Sequence, residues 1–295
     1  MNFFSKYIIA LALTLAPIIA LSKPYNREQG ANPDPYLYLF FDELYNFRFA
    51  QADSIIQQVS PLRYSEYSIA HAYSLWWKGL TYPGFNEYFV SLEALSHGLV
   101  GIGDQVKLSP KDDPFMKMII GAFGIRIASI KGENATALRI FLKIKPTLIN
   151  ILETPQLSEE YKLIAGVYHY AAAGIRKNFF MLRPFFVFLP TADENAGKEL
   201  LMECTSSMSV PTATEAHYFL FKIEKEIYGQ NEKAYKHIQW LVKTYPNNLL
   251  FNLDFFNLRS VMGENTTVLR KELIAKIEAS TLDDQQKQHF LNQIK

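Results

Sequence analysis

Apolar residues recur along this chain three and four positions apart, and proline, glycine and short polar clusters break the runs. The first run holds Tyr36, Leu37, Leu39, Phe40, Leu44 and Phe47, with Asp34 as cap and Pro35 at the first helical position. A second passes through Ala50, Ala52, Ile55, Ile56 and Val59 and stops at Pro61. Helical patterns then cover about 64–82 and 86–100, turned by Pro83-Gly84. Asp113-Pro114 opens helices over about 114–131 and 133–151, and Pro146 should kink the second or end it early. Ser158 with Glu159 and Glu160 starts a helix over about 159–176, because acidic groups favour a first turn. After Phe179 to Pro190, the least regular stretch, comes a helix over about 193–207. Thr212 and Glu215 read as a capping box for a helix over 212–228, followed by 231–244 and a stop at Tyr245-Pro246-Asn247-Asn248. Helices over about 248–262 and 265–279 and a short polar one from Asp283 complete the chain. Alternating strand patterns with hairpin dipeptides are missing, so the expected class is all-α, with about six helix pairs.

Two of these pairs share one arrangement of small and large positions. In the first it is Gly79, Tyr82, Ser91, Leu95 and Gly98; in the second Ala234, Ile238, Leu241 and Pro246 repeat its back half. Small residues let two helices approach, large ones fill the gap, and a proline ends the unit. Over residues 35–279 the chain resembles the tetratricopeptide-repeat superfamily, whose period is roughly 34 residues. The resemblance implies a right-handed α–α superhelix, here degenerate because the pairs differ in length. It also implies a binding role, since stacked hairpins build a concave surface. Residues 165–246 carry a further likeness. Ala165-Gly166-Val167-Tyr168, Leu189-Pro190, Gly197 with Leu200, and Glu215-Ala216 through Tyr245-Pro246 follow in an order similar to one eukaryotic tetratricopeptide family. That family includes mitochondrial-surface inclusion-clearance proteins. The chain departs from its cellular setting, and no functional residue carries across.

The departure lies at the N-terminus. Lys6 precedes an apolar stretch from Ile8 to Leu21, broken by Thr14 and Pro17, and Ala20 and Ser22 suit a cut before Lys23. This reads as a signal peptide over residues 1–22, then an extended leader over 23–34 and a single helical domain over 35–295. The alternative is a retained anchor, but a spanning helix wants ~20 apolar residues and this stretch is shorter. The expected location is therefore periplasmic or secreted.

Charge narrows the partners. The 295-residue chain has 30 basic and 29 acidic groups, and loss of Lys6 on cleavage leaves 29 against 29. Nucleic-acid binders show a basic excess, so none is expected here. No polybasic block marks a membrane contact, although a peripheral one through the aromatic stretch Phe179 to Pro190 stays open. Cys204 is the only cysteine, so no internal disulfide forms, and its helix setting reads as a small buried hydrophobe. The six histidines make no metal-ligand spacing, and no phosphate loop, nucleophile elbow or zinc-protease motif is present. A hydrolase using His169 or His217 with nearby acids is the weakest reading. Neither an enzyme nor a cofactor or metal is expected.

Aromatic residues are the stronger signal. Tyr73, Trp76 and Trp77 stand together on one helix, and the repeat alignment puts Tyr73 and Trp76 on the concave face. Two readings follow, core filling or exposed binding anchors, since aromatic side chains bury large area at small entropic cost. Arg126, on the neighbouring first helix, would serve as a carboxylate or polar anchor. The favoured function is a non-catalytic exported scaffold holding a protein or peptide partner in its groove through Tyr73, Trp76, Trp77 and Arg126. The alternative is a small ligand, a glycan or lipid, stacked on the same aromatics. Oligomeric state is left open.

Overall fold

Helix follows helix throughout the computed structural model, which describes residues 35–58, 64–100, 114–154, 157–179 and 189–294. The elements are α1 (Pro35–Tyr45), α2 (Phe49–Ile56), α3 (Tyr64–Gly79), α4 (Glu87–Val100), α5 (Pro114–Lys131), α6 (Asn134–Leu152) and α7 (Glu159–Asn178). They continue with α8 (Glu194–Cys204), α9 (Val210–Lys222), a π-helical turn (Ile223–Ile227), α10 (Asn231–Thr244), α11 (Leu249–Val261), α12 (Thr267–Ala279) and α13 (Asp284–Leu291). The expected signal peptide and leader, the caps at Asp34 and Asp113, and residues 180–188 of the aromatic stretch lie outside the described residues.

Short polar side chains set the helix starts. Ser158 accepts the Tyr161 amide at 3.4 Å, and Asp193 accepts those of Asn195 and Ala196 at 2.9 and 3.1 Å. Asp283 and Gln286 form a complete capping box on α13. The box expected from Thr212 and Glu215 does not form. Pro211 sits in the first turn, so the helix starts earlier, behind Ser209, and both residues point into the core. The early end expected at Pro146 is also absent. Pro146 lies on the exposed side of α6, where water can reach the carbonyl that loses its amide partner, and the helix runs on to Leu152.

Consecutive helices pack as hairpins, α1 on α2, α3 on α4, α5 on α6, α7 on α8, α9 on α10 and α11 on α12, and the hairpins stack in chain order as an all-α solenoid. Glycine permits the closest of these approaches. A Cβ at Gly79 would lie 2.4 Å from the Phe89 ring of α4, and one at Gly197 would lie 2.3 Å from the Tyr170 amide of α7. The buried seam of α4 is Phe89, Leu92 and Ser96, whereas Ser91 points to solvent and bonds the Glu87 carbonyl. Leu95 packs on the core and Gly98 is buried, so only Ser91 departs from the register read for that helix. In α10 it holds: Ala234, Ile238 and Leu241 are fully buried.

The solenoid comes round on itself. Tyr45, at the end of α1, donates its hydroxyl to Glu215 of α9 at 2.8 Å. The Asn248 side chain caps α11 and donates to the Tyr45 carbonyl at 2.8 Å. Trp77 of α3 meets Phe251 of α11 at 5.5 Å between ring centroids, and Phe47 meets Phe290 of α13 at 6.4 Å. Thr81 and Tyr82, just after α3, bond Gln286 and Asp283 at the start of α13. Phe47 adopts φ +60°, a strained backbone for a bulky side chain, and it is held there by packing on Phe49, Trp77 and Phe290. The open trough expected of a curved rod is thus filled at α3 by the chain's own C-terminal helices.

Candidate functional site

That closure decides where the sequence-derived site residues stand. Tyr73, Trp76 and Trp77 are 0%, 4% and 2% exposed. Tyr73 lies between Phe41 of α1 and Phe123 of α5, with centroids 5.5 and 5.2 Å away. Trp76 packs on Phe89 and Phe123, and Trp77 on Tyr45, Phe251 and Tyr218. The expectation of exposed aromatic anchors is corrected: these rings fill the core. The physical reason is that α3 is covered both by its own neighbours and by α9 and α11. The burial is not wholly satisfied, because the Tyr73 hydroxyl and the Trp77 indole N–H have no hydrogen-bond partner.

Arg126 is the one candidate left at a surface. It is partly exposed on α5, with its guanidinium 5.9 Å from the centroid of the Trp76 ring. No acceptor among the described residues lies within hydrogen-bond or ion-pair reach of it. Burial lowers its pKa, and the more distant Tyr218 hydroxyl and Glu226 carboxylate work the other way. A guanidinium remains charged in such a place.

The two groups that act on its charge lie near the end of α9 and in the π-helical turn. Tyr218 is half-buried, and its hydroxyl also lacks a partner among the described residues. Burial pushes that hydroxyl up to about 12, so it stays protonated and able to donate. Lys222, one turn on, lies 5.4 Å over the Tyr218 ring and pairs with Asp254 at 3.0 Å and with Glu226 at 3.5 Å. Burial works against the Lys222 ammonium, but Asp254, Tyr218 and Glu226 outweigh it and hold its pKa above the ordinary lysine value. The lysine is therefore committed, whereas the arginine has no acceptor among the described residues. Sequence reasoning missed Tyr218 and Lys222, although their spacing of four on one helix face could have joined them.

Two further polar clusters lie on α9 and are closed off. Glu215 is fully buried, bonded to Tyr45 through one oxygen and unpartnered at the other. Burial pushes its carboxyl up to about 8, so it is neutral near pH 7, and the Tyr45 bond resists only part of that rise. His217 stacks on Trp240 at 4.0 Å and shares an Nδ1–Nδ1 hydrogen bond of 3.0 Å with His237. Such a bond needs one ring to donate and the other to accept, so the accepting ring at least is neutral. Burial holds His217 down at about 3 and His237 at about 4, helped respectively by the other histidine and by nearby lysines.

The hydrolase geometry is not assembled. The nearest carboxylate to this pair, Glu224 in the π-helical turn, is 3.9 Å from His237, too far for a hydrogen bond. His169 accepts the Asp193 amide at 3.2 Å, and the Asp193 side chain is occupied in capping α8. Cys204 is buried, with its thiol pushed up to about 12 mainly by burial, which leaves no thiolate near neutral pH. Among the described residues no group of three His, Cys, Asp or Glu side chains could hold a metal ion. Nor is any described helix long and apolar enough to cross a membrane.

Comparison with known proteins finds no matching family model, curated protein or solved structure. The function is therefore argued from the site itself.

Proposed function

We propose that this chain is a non-catalytic, exported, tetratricopeptide-like scaffold that holds a protein or peptide partner on its inner face. The observation that carries the reading is the guanidinium of Arg126, which lies 5.9 Å from the centroid of the Trp76 ring and has no acceptor among the described residues. A partly desolvated cation without a counter-ion is costly, and a ligand that supplies the missing acceptor offsets the cost. Tyr73, Trp76 and Trp77 act behind this face by fixing the position of α5 and α9, without touching the partner.

Supporting the reading are the stacked hairpins, which suit binding, and the burial that holds His217 and His237 well below the usual histidine range and the Cys204 thiol above its own. The alternative of a glycan or lipid needs Tyr73, Trp76 and Trp77 as stacking plates, and those rings are covered. The test uses immobilised wild type and Arg126→Gln with extract from the envelope of the source cell. A protein recovered by wild type and lost with Arg126→Gln, at unchanged thermal stability, supports the role. Equal recovery by both removes Arg126 as the anchor.

A further inference from the structure

Apart from the partner taken at Arg126, we propose that the outer face of α6 lies against an anionic lipid surface. One side of α6, with Ala137, Ile140, Ile144, Leu148 and Ile151, is buried in the core. The other side carries Leu138 and Leu142, 57% and 55% exposed, with Arg139, Lys143 and Pro146 exposed beside them and Lys145 half-buried. Around the helix axis the two leucines lie about 40° apart, with Lys145 about 20° beyond Leu138, and Arg139 and Lys143 about 60° and about 100° beyond Leu142. Cations thus flank an apolar centre, the arrangement of a helix that lies in a lipid interface. Charge selects the occupant. The chain has 30 basic and 29 acidic residues, yet α6 carries Arg139, Lys143 and Lys145 and no acidic residue. The acids at its ends are Glu133, paired with Lys131 at 2.8 Å, and Glu153, which lies about two turns past Lys145. Arg139, Lys143 and Lys145 have no ion-pair partner among the described residues. A layer of anionic headgroups supplies those partners, while its acyl boundary takes Leu138 and Leu142. A protein occupant fits less well, because protein interfaces are rich in aromatic side chains and poor in lysine. The aromatic residue of α6, Phe141, packs on the core.

The test places a polarity-sensitive dye on Leu142→Cys, or on Gln285→Cys of α13 as a reference, in the full chain with Cys204→Ala. The probes are vesicles of phosphatidylcholine, vesicles of phosphatidylcholine mixed with phosphatidylglycerol, and polyglutamate. The dye at 142 should brighten and shift to the blue with the anionic vesicles, stay unchanged with the zwitterionic ones, and lose its response at high salt. The dye at 285 should stay unchanged throughout, which separates this contact from a tether elsewhere in the chain. Arg139→Gln, Lys143→Gln and Lys145→Gln should each weaken the response by about fivefold, the worth of one cation at such a surface. Leu138→Gln should weaken it by about tenfold through lost apolar burial. No response at 142, an equal response to both kinds of vesicle, or an equal response at 285 overturns the assignment. A stronger response to polyglutamate than to the anionic vesicles also overturns it, in favour of an acidic protein partner. Each of these outcomes leaves the Arg126→Gln recovery test untouched, so the two readings stand or fall separately.

Discussion

The hairpin of α3 and α4 and the hairpin of α9 and α10 present similar patterns of small and large residues and fill them differently. In the first, Gly79 lets Phe89 come against α3, and the filling is aromatic: Tyr73, Trp76, Trp77 and Phe123. In the second, Ala234, Ile238 and Leu241 make an aliphatic seam, and beside it lie Glu215, His217, His237 and Glu224, polar groups that are buried or nearly so. The first hairpin is the post on which both ends of the solenoid close, and the second supplies the polar clasp. Packing of rings has no pH dependence, whereas a buried carboxyl and a buried histidine pair have a strong one. Similar hairpin patterns thus produce two different sensitivities.

The largest expected effect tests the post. Trp77→Ala should cost about 3–5 kcal/mol in urea unfolding, because it opens a cavity at the junction of α1, α3 and α11. Ile238→Ala, confined to its own hairpin, should cost about 2–3 kcal/mol. Equal costs would mean that the closure adds nothing to α3.

Next comes the clasp. The Glu215 carboxyl is raised to about 8 in the fold from an ordinary 4.5, so the folded state holds the proton more tightly. Its contribution is complete below pH 4.5 and is lost as pH rises through 8, at a cost on the order of 5 kcal/mol over that window. Glu215→Gln, which keeps the acceptor for Tyr45, should flatten this alkaline limb of stability against pH. An unchanged slope would remove Glu215 as its source. The histidines act in the opposite direction. Their pKa values fall from 6.5 to about 3 and 4, so their contribution is complete above pH 6.5 and is lost as pH falls toward 4. His237→Gln should reduce the acid limb and spare the alkaline one. Loss of both limbs together would show that the two clusters unfold as one network.

Smaller effects follow. Gly79→Ala forces a methyl group against the Phe89 ring and should cost about 1–3 kcal/mol, while Ala234→Gly costs about 1 kcal/mol through backbone freedom. A reversal of that order in thermal unfolding would place the tighter approach in the second hairpin. At the bottom of the scale, Arg126→Gln should leave stability unchanged or raise it by less than about 1 kcal/mol, because it removes a partly desolvated cation. A loss of several kcal/mol would make Arg126 a structural cation instead of a binding one.

Local physics fixed what could be read without coordinates. The spacing of apolar residues, the caps at Ser158 and Asp283 and the starts at Pro35 and Pro114 act over a few residues, so the helices and their pairing were legible in the chain. Exposure was not legible. A helical stripe of Tyr73, Trp76 and Trp77 has the same sequence whether water or another helix lies across from it, and tertiary contacts decide, from Phe41 and Phe123 on Tyr73 to the distant Phe251 on Trp77. For the same reason Arg126 was found as a candidate, but the cluster of Tyr218, Lys222 and Asp254 was not. Hydrogen bonding and apolar spacing along one stretch set each helix. Burial, and with it the charge state of Glu215 and the availability of Arg126, depends on what distant chain excludes the water, and that was settled only when the solenoid closed.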